Sequence, residues 1–479
     1  MKIMKKSILK LISLISVLTM LISSAAGCRK KADDTSSDTG TSDFVSSDAD
    51  SSTDSNSSGT DSTQSGSSSS SGSSSSTSSG KSNQSDLKRF AGTTLTYAVW
   101  IDPAKDEGGP VLKKFEQATG MKVKIRLTSQ DNYVQDVTSL IAAGNSPDML
   151  FANGTFPSIL SVLQPLDNGK MNLSDPIWDK SVLEGSKVGG KSYLIDTVGS
   201  VWGSANCIFY NKKLLRDNNI TTPEDYYKQG TWTFAAMKKV MSDVAKLGSD
   251  YIGGWIWSDS LLGAAGTSFY EYQNGKFVNG TDTKLRGTER LIAECMEEGL
   301  MKDASLNGRD DFIDGKMGLV MLETYGCKKA GYWKTMNPNH VGFCYAPRYD
   351  ESSEQYRSTN FRGYGIAKGS KNPEATGVLL RYFLDVNNYD LKSTFISTEA
   401  QNFFFKVTAD TKATPFMTYL PGVINYVGTI NDQYLTYQQN IFAGGSAQVN
   451  TKVDALQNVI NTSVTKVNNL LNDTAKQYK

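Results

Sequence analysis

The sequence holds one histidine, His340. Metal sites built on several imidazoles are therefore excluded, and a serine–histidine–acid triad would have only that residue to use. A lone histidine in this setting is read as an ordinary surface or core residue. Four cysteines, Cys207, Cys295, Cys327 and Cys344, show no CxxC spacing, so neither a zinc site nor a thioredoxin-type site is indicated. Outside the cell some of them could pair; the preferred reading is that they serve as small buried apolar residues. Asp259 and Glu323 are the carboxylates that a secreted glycosidase would need, but nothing in the sequence indicates the spacing or the raised pKa of an acid/base pair. No catalytic residue, metal or cofactor is expected. What remains is non-covalent recognition. The stretch Val188–Leu215 contains Gly189, Gly190, Gly199, Ser200, Gly203 and Ser204 around strand-forming runs, with Trp202 at the flexible point. Small residues inside a strand pattern mark a bend or a close backbone approach. A large aromatic at such a crossover suits the wall of a cleft between two lobes.

The elements flanking that stretch read as an α/β chain. Leu95, Tyr97 and Val99 alternate and predict a strand ending at Trp100. Pro110 opens a helix with Val111, Leu112, Phe115 and Ala118 on one face, closed by Gly120. Val123, Ile125 and Leu127 alternate with Lys122, Lys124 and Arg126, whose row is read as a solvated strand face. Asp131 caps a helix with Val134, Val137, Leu140 and Ile141, and Asp148–Phe151 is a third strand. Strand–helix–strand–helix–strand at these spacings predicts a parallel, doubly wound sheet, whose ligands sit beyond the carboxyl ends of its strands. Those ends are Trp100–Asp102 and Phe151–Asn153. Further on, the pattern predicts a helix after Gly230, a strand over Tyr251–Trp257, a helix ending before Gly299, and a strand over Gly315–Leu322. Ser358–Lys368 reads as a return crossing, Pro373 opens a helix, and Thr411–Phe416 is a candidate third crossing. Val449, Val453, Leu456, Ile460, Val467 and Leu471 mark a long final amphipathic helix. Trp178 and Trp232 are read as structural.

The 479 residues carry 50 basic and 49 acidic side chains, a net charge of +1. That balance gives no reason to expect nucleic acid or an anionic membrane surface as partner. The amino-terminal segment has Lys2, Lys5, Lys6 and Lys10, an apolar run over Ile8–Ile22, and small residues up to Gly27 before Cys28. This is the pattern of a secretory signal. Cys28 directly after the small residues resembles a bacterial lipobox, with Ala25 where leucine is usual, and implies an acylated Cys28. Residues 29–86 are rich in Ser, Thr, Gly and Asp and cannot bury enough apolar surface to fold. They read as a tether with an end-to-end distance of about 40 Å, extensible to roughly 190 Å.

Six motifs in order resemble the solute-binding proteins of ABC importers, the family that includes the maltose-binding protein. They are LTYAVW…GGPVLKKFEQATG, Ser146-Pro147-Asp148-Met149-Leu150, GKSY…FYNKKLL, GTWTF, Gly315-Lys316-Met317-Gly318-Leu319 and GIAKGSKNPEAT. The resemblance runs from about Leu87 to Lys479. It implies a periplasmic-binding-protein-like fold of two doubly wound α/β lobes joined by a three-crossing hinge. The implied division is 1–27 signal peptide, 28–86 acylated cysteine and tether, 87–203 with 362–412 as the first lobe, and 204–361 with 413–479 as the second.

By the same resemblance, the ligand contacts fall on Trp100, Asp102 and Asn153 of the first lobe and Trp255, Trp257, Asp259, Glu323 and Tyr325 of the second. Trp202, Arg362 and Tyr364 lie at the crossings. Ser204 stands where some oligosaccharide binders have a carboxylate. A pyranose offers an apolar face for an aromatic ring and hydroxyls for charged or amide partners, and this set supplies both. The implied function is capture of a carbohydrate, an oligosaccharide, by a monomeric protein held on the outer face of a Gram-positive cell membrane through Cys28. Cargo passes to the subunits of an ABC permease. A ligand-sensing or adhesive surface lipoprotein is the alternative, and a secreted glycosidase the weaker one.

Overall fold

The computed structural model describes residues 88–130, 132–153, 159–202, 205–273, 276–301, 308–360, 362–409, 414–419 and 444–477. The signal, Cys28, the tether, the Asp131 cap, Gly203 and Ser204 lie outside them. The first elements follow the periodicity: β1 (Thr94–Val99), α1 (Gly108–Thr119), β2 (Lys122–Leu127), α2 (Tyr133–Ala142) and β3 (Met149–Asn153). α1 starts two residues ahead of Pro110. It ends where Gly120 turns left-handed at φ 74° and returns its N–H to Glu116, a conformation that costs glycine little. β1 pairs in parallel with β2 and with β3. Leu95, Tyr97 and Val99 share a core with Val111, Leu112 and Phe115 of α1. Ala98, Leu150 and Ala152 share another with Tyr133 and Val137 of α2. Helices thus cover both faces of the sheet, and each fully buried large apolar side chain contributes about 1.5–3 kcal/mol. The basic residues of β2 are exposed, as expected.

β4 (Leu163–Gln164) forms the far edge of this sheet. The stretch before the next strand is less regular than its composition predicts. Val188 and Lys191 bridge across the Gly189-Gly190 turn, and Ile195 exchanges both backbone hydrogen bonds with Tyr364 at 2.9 Å. Only its second half, β5 (Asn206–Asn211), is a true strand. α3 (Phe234–Ala245), β6 (Ile252–Ile256), α4 (Ser258–Ala265), the hairpin β7 (Tyr270–Gln273) and β8 (Lys276–Asn279), α5 (Thr283–Glu297), β9 (Met317–Glu323) and β10 (Val341–Tyr345) follow. The second sheet runs β10-β5-β9-β6, with β6 and β9 parallel and β5 antiparallel to both its neighbours. One of its faces packs with α3 and α5.

The chain then makes β11 (Tyr356–Asn360) and returns to the first sheet as β12 (Arg362–Ala367). β12 lies antiparallel between β3 and β4, so that sheet reads β2-β1-β3-β12-β4. α6 (Pro373–Phe383) joins the first core through Leu379, Leu380 and Phe383. α7 (Thr398–Thr408) puts Ala400 and Phe404 on the other face of the second sheet, beside Phe209 and Phe343. Among the described residues a third passage between cores therefore falls between Tyr389 and Phe395, and the expected crossing at Thr411–Phe416 lies partly outside those residues. Leu391 in that passage packs against both cores. Residues 411–413 are not among those described, and β13 (Thr414–Tyr419) pairs in parallel with β11 in a sheet of its own. The final helix, α8 (Val449–Gln477), packs on the hairpin and α5 through Val449, Val453 and Ile460.

Trp178 and Trp232 are buried, and each indole N–H donates to a backbone carbonyl at 2.8 Å, of Asn172 and Tyr345 respectively. Cys207, Cys295, Cys327 and Cys344 are free and buried. Among the described residues no helix is long and apolar enough to cross a membrane.

Candidate binding cleft

A cavity of about 610 Å³ lies between the two cores. It sits beyond the carboxyl ends of the strands in both sheets, where a doubly wound sheet leaves room for a ligand. Val99 ends β1, Trp100 and Ile101 follow it, and Phe151 lies within β3. Trp257, Asp259 and Ser260 follow β6, while Leu322, Glu323 and Tyr325 end β9. Asn206 and Arg362 enter from the starts of the antiparallel strands β5 and β12. Of the sequence-derived residues, Trp100, Trp202, Trp257, Asp259, Glu323, Tyr325, Arg362 and Tyr364 line this one space.

Two of the expected contacts stand differently, and the side chain of Asn153 lies outside the described residues. Asp102 does not line the cavity; its carboxylate accepts from the Ala104 N–H at 3.0 Å and caps the short helix Pro103–Lys105. Asn153 ends β3 opposite Arg362 in the ladder. Trp255 is 3% exposed, packed with Phe312 and Val320, and among the described residues its indole N–H has no hydrogen-bond partner. Trp257, 42% exposed, lies edge-on to Trp255 with ring centroids 6.1 Å apart. The two indoles are neighbours, as alternation requires, but in two layers. β6 ends at Ile256, and the backbone of Trp257 already turns toward α4.

Trp202 is engaged by the protein itself. Its indole stacks on Phe383 at 5.6 Å and 18° and carries the Lys328 ammonium 4.5 Å from the ring centroid. Its N–H donates to the Tyr389 hydroxyl at 2.8 Å. Tyr389 in turn donates to the carbonyl of Phe383 at 2.6 Å. This crossover tryptophan is a pin between lobes more than a platform. Trp100 is held edge-on by Tyr133 and Phe151, at 4.7 and 5.1 Å. Tyr325 donates to the carbonyl of Ala330 at 2.8 Å.

Two ion pairs cross from lobe to lobe. Arg362 of β12 meets Glu323 of β9 at 3.0 Å and also donates to the carbonyl of Trp202 at 3.3 Å. Lys328, 3% exposed at its side chain, pairs with Glu107 at the start of α1. Burial pulls the Lys328 pKa down, and the facing Glu107 carboxylate partly restores it. Asp106 beside it is pushed up to about 6, chiefly by desolvation. Asp196, behind the cleft, is pushed up to about 7 for the same reason. Among the described residues the lining acids are Asp106, Asp259 and Glu323 and the lining bases Arg309, Lys328 and Arg362, so their formal charges cancel.

Sequence reasoning missed Asp106, Gln130, Asn206, Arg309, Lys328 and Tyr332. Asp106 sits in the turn after β1, and Lys328 and Tyr332 follow Tyr325, so the rule of carboxyl ends reaches them when the whole turn is counted. Arg309, whose guanidinium lies 4.7 Å from the Tyr332 ring centroid, carries no such local signal. Among the described residues no group of three or more side chains is placed to hold a metal ion.

Two α/β lobes with a polar–aromatic cleft between them define a ligand-binding protein of the periplasmic-binding-protein fold. The family model for bacterial extracellular solute-binding proteins matches residues 92–386, and the chain belongs to that family. No curated protein matches the sequence. Among solved structures, a cyclic α-maltosyl-1,6-maltose binding protein from Arthrobacter globiformis is similar with TM-score 0.62 and 11% identity, covering 78% of this chain and 99% of its own. An extracellular solute-binding protein from Staphylococcus aureus, in complex with maltose, is similar with TM-score 0.58 and 14% identity, covering 78% and 98%. An ABC transporter solute-binding protein from Thermotoga lettingae, bound with α-D-tagatose, is similar with TM-score 0.59 and 15% identity, covering 78% and 100%.

Proposed function

We propose that this protein is a membrane-anchored extracellular receptor that captures a neutral carbohydrate, an oligosaccharide, in the interlobe cleft and delivers it to an ABC permease. The observation that carries the reading is the pairing of the exposed Trp257 indole with a lining in which, among the described residues, three acids are matched by three bases. An aromatic face suits the apolar side of a pyranose, and charged groups already balanced by one another offer hydrogen bonds without selecting a charged solute. The sugar-bound relatives and the volume of the cleft, within the range of small-molecule sites, support it. Binding without chemistry fits a family of solute-binding proteins. The amino-terminal pattern supports lipid attachment at Cys28, with residues 29–86 as a tether and the folded part acting as a monomer. The lobes are assigned as the chain around the first sheet and the chain around the second.

The test is a thermal-shift screen against neutral mono- and oligosaccharides, amino acids and sugar phosphates. A ligand at a hundred times its Kd stabilises the native state by about 2.7 kcal/mol. A raised melting midpoint with neutral sugars is the expected result. A shift confined to the charged compounds would sink the reading.

A further inference from the structure

Glu107 stands at the start of α1, which packs in the first core, and Lys328 follows β9 and Cys327 of the second. Their ion pair spans from one core to the other, with side chains only 3% and 9% exposed for Lys328 and Glu107. The carboxylate is not spent on its own helix: among the described residues Glu107 accepts no capping hydrogen bond from α1. Lys328 is held firmly on its own side. Its N–H donates to the Tyr325 carbonyl at 3.0 Å, and its backbone bridges to Phe395 at the end of the third passage. Its ammonium lies 4.5 Å from the ring centroid of Trp202 in the first passage and 5.8 Å from that of Tyr325. We propose that the Lys328–Glu107 pair is a latch built into the chain, which holds the two lobes together and gives the cleft a closed population before any ligand enters. The latch goes beyond the carbohydrate reading and does not depend on it.

The reason lies in where water can reach. With the lobes together both charges are out of solvent, so each depends on the other. Burial pulls the Lys328 pKa down and the Glu107 carboxylate draws it back, the balance of a cation that keeps its charge through its partner. The indole face adds attraction for the ammonium. An exposed pair would be screened by salt and contribute little, whereas this one is shielded. Opening the lobes separates Lys328 from Glu107 and leaves its contacts with Tyr325 and Phe395 in place. A ligand touching both lobes then closes the molecules that are still open, and its release requires the pair to break. Removing one charge leaves the other buried and uncompensated, a penalty that opening relieves. Removing both leaves neutral side chains that can be buried without it. Each single change should therefore open the cleft, and the double change should close it again.

The experiment measures the distance between the lobes in the full chain by pulsed electron paramagnetic resonance, with no sugar present. Spin labels are carried by ketone-bearing residues in place of the exposed Lys113 and Lys334, which leaves the cysteines untouched. Wild type is compared with Glu107→Gln, with Lys328→Met and with the two changes combined. Wild type should show a short-distance population that falls at least about tenfold relative to the open one in either single variant and returns in the double variant. The same distances in wild type and both single variants overturn the latch. So does a double variant as open as the single ones, because the side chains would then act through packing and not through paired charge. If Lys328→Met does not fold, Glu107→Asp and Glu107→Gln decide. Aspartate keeps the charge one methylene short, so the closed population should fall from Glu to Asp to Gln, and equal populations in the three overturn the proposal.

Discussion

Trp255 and Trp257 stand two positions apart and nearly touch, yet their surroundings assign them opposite duties. Trp257 presents its ring at the cavity, while Trp255 fills the core beneath it against Phe312. Trp257→Ala should therefore cut affinity for a bound sugar by about 2 kcal/mol or more while leaving the melting midpoint close to wild type. Trp255→Ala should instead cost about 3–5 kcal/mol of stability, because it opens a void in a packed core. Isothermal titration and chemical denaturation of the two variants check this, and a reversed pattern would refute the assignment. Much of this was legible in the sequence, since aromatic and charged residues at strand ends pointed to the cleft. Burial was not legible, because it depends on the helix Arg309–Ile313, whose Phe312 shares the core with Trp255. The engagement of Trp202 was hidden too. Phe383 and Lys328, which lie against its indole, are far from it in sequence and come from α6 and from the turn after β9.

At the scale of elements, three passages join the cores among the described residues. One runs through Val201–Trp202 into β5, one from β11 into β12, and one through Leu391. The first two were marked in the sequence by small residues between patterned runs. The expected third crossing, Thr411–Phe416, lies partly outside the described residues, and the Tyr389–Phe395 passage is built of ordinary helix and turn residues that no break in pattern marks. The three together are expected to act as one hinge, closing around a ligand that contacts both lobes. A chain beginning near Leu87 should show a smaller radius of gyration by small-angle scattering once a binding sugar is added. Spin labels on the two lobes should also move closer together. Binding without either change would refute the hinge.

For the whole molecule, the amino-terminal 86 residues and the folded remainder answer different physical demands. Residues 29–86 are too polar to bury a core, and Cys28 follows small residues in a pattern that resembles a lipoprotein processing site. Cys28→Ser should release the protein into the medium or leave it unprocessed, as read by membrane fractionation. A variant that fractionates and processes like wild type would end the anchor proposal. In the folded part, periodicity by itself determined the alternation of strands and helices, the capping glycine of α1 and the α/β class, because each depends on neighbours within a few residues. Only the tertiary structure decided which residues share the cleft. It brought Arg362 of β12 to Glu323 of β9 and Lys328 to Glu107. Those pairings depend on how two sheets face each other across three passages, and no local pattern in the chain encodes that distance.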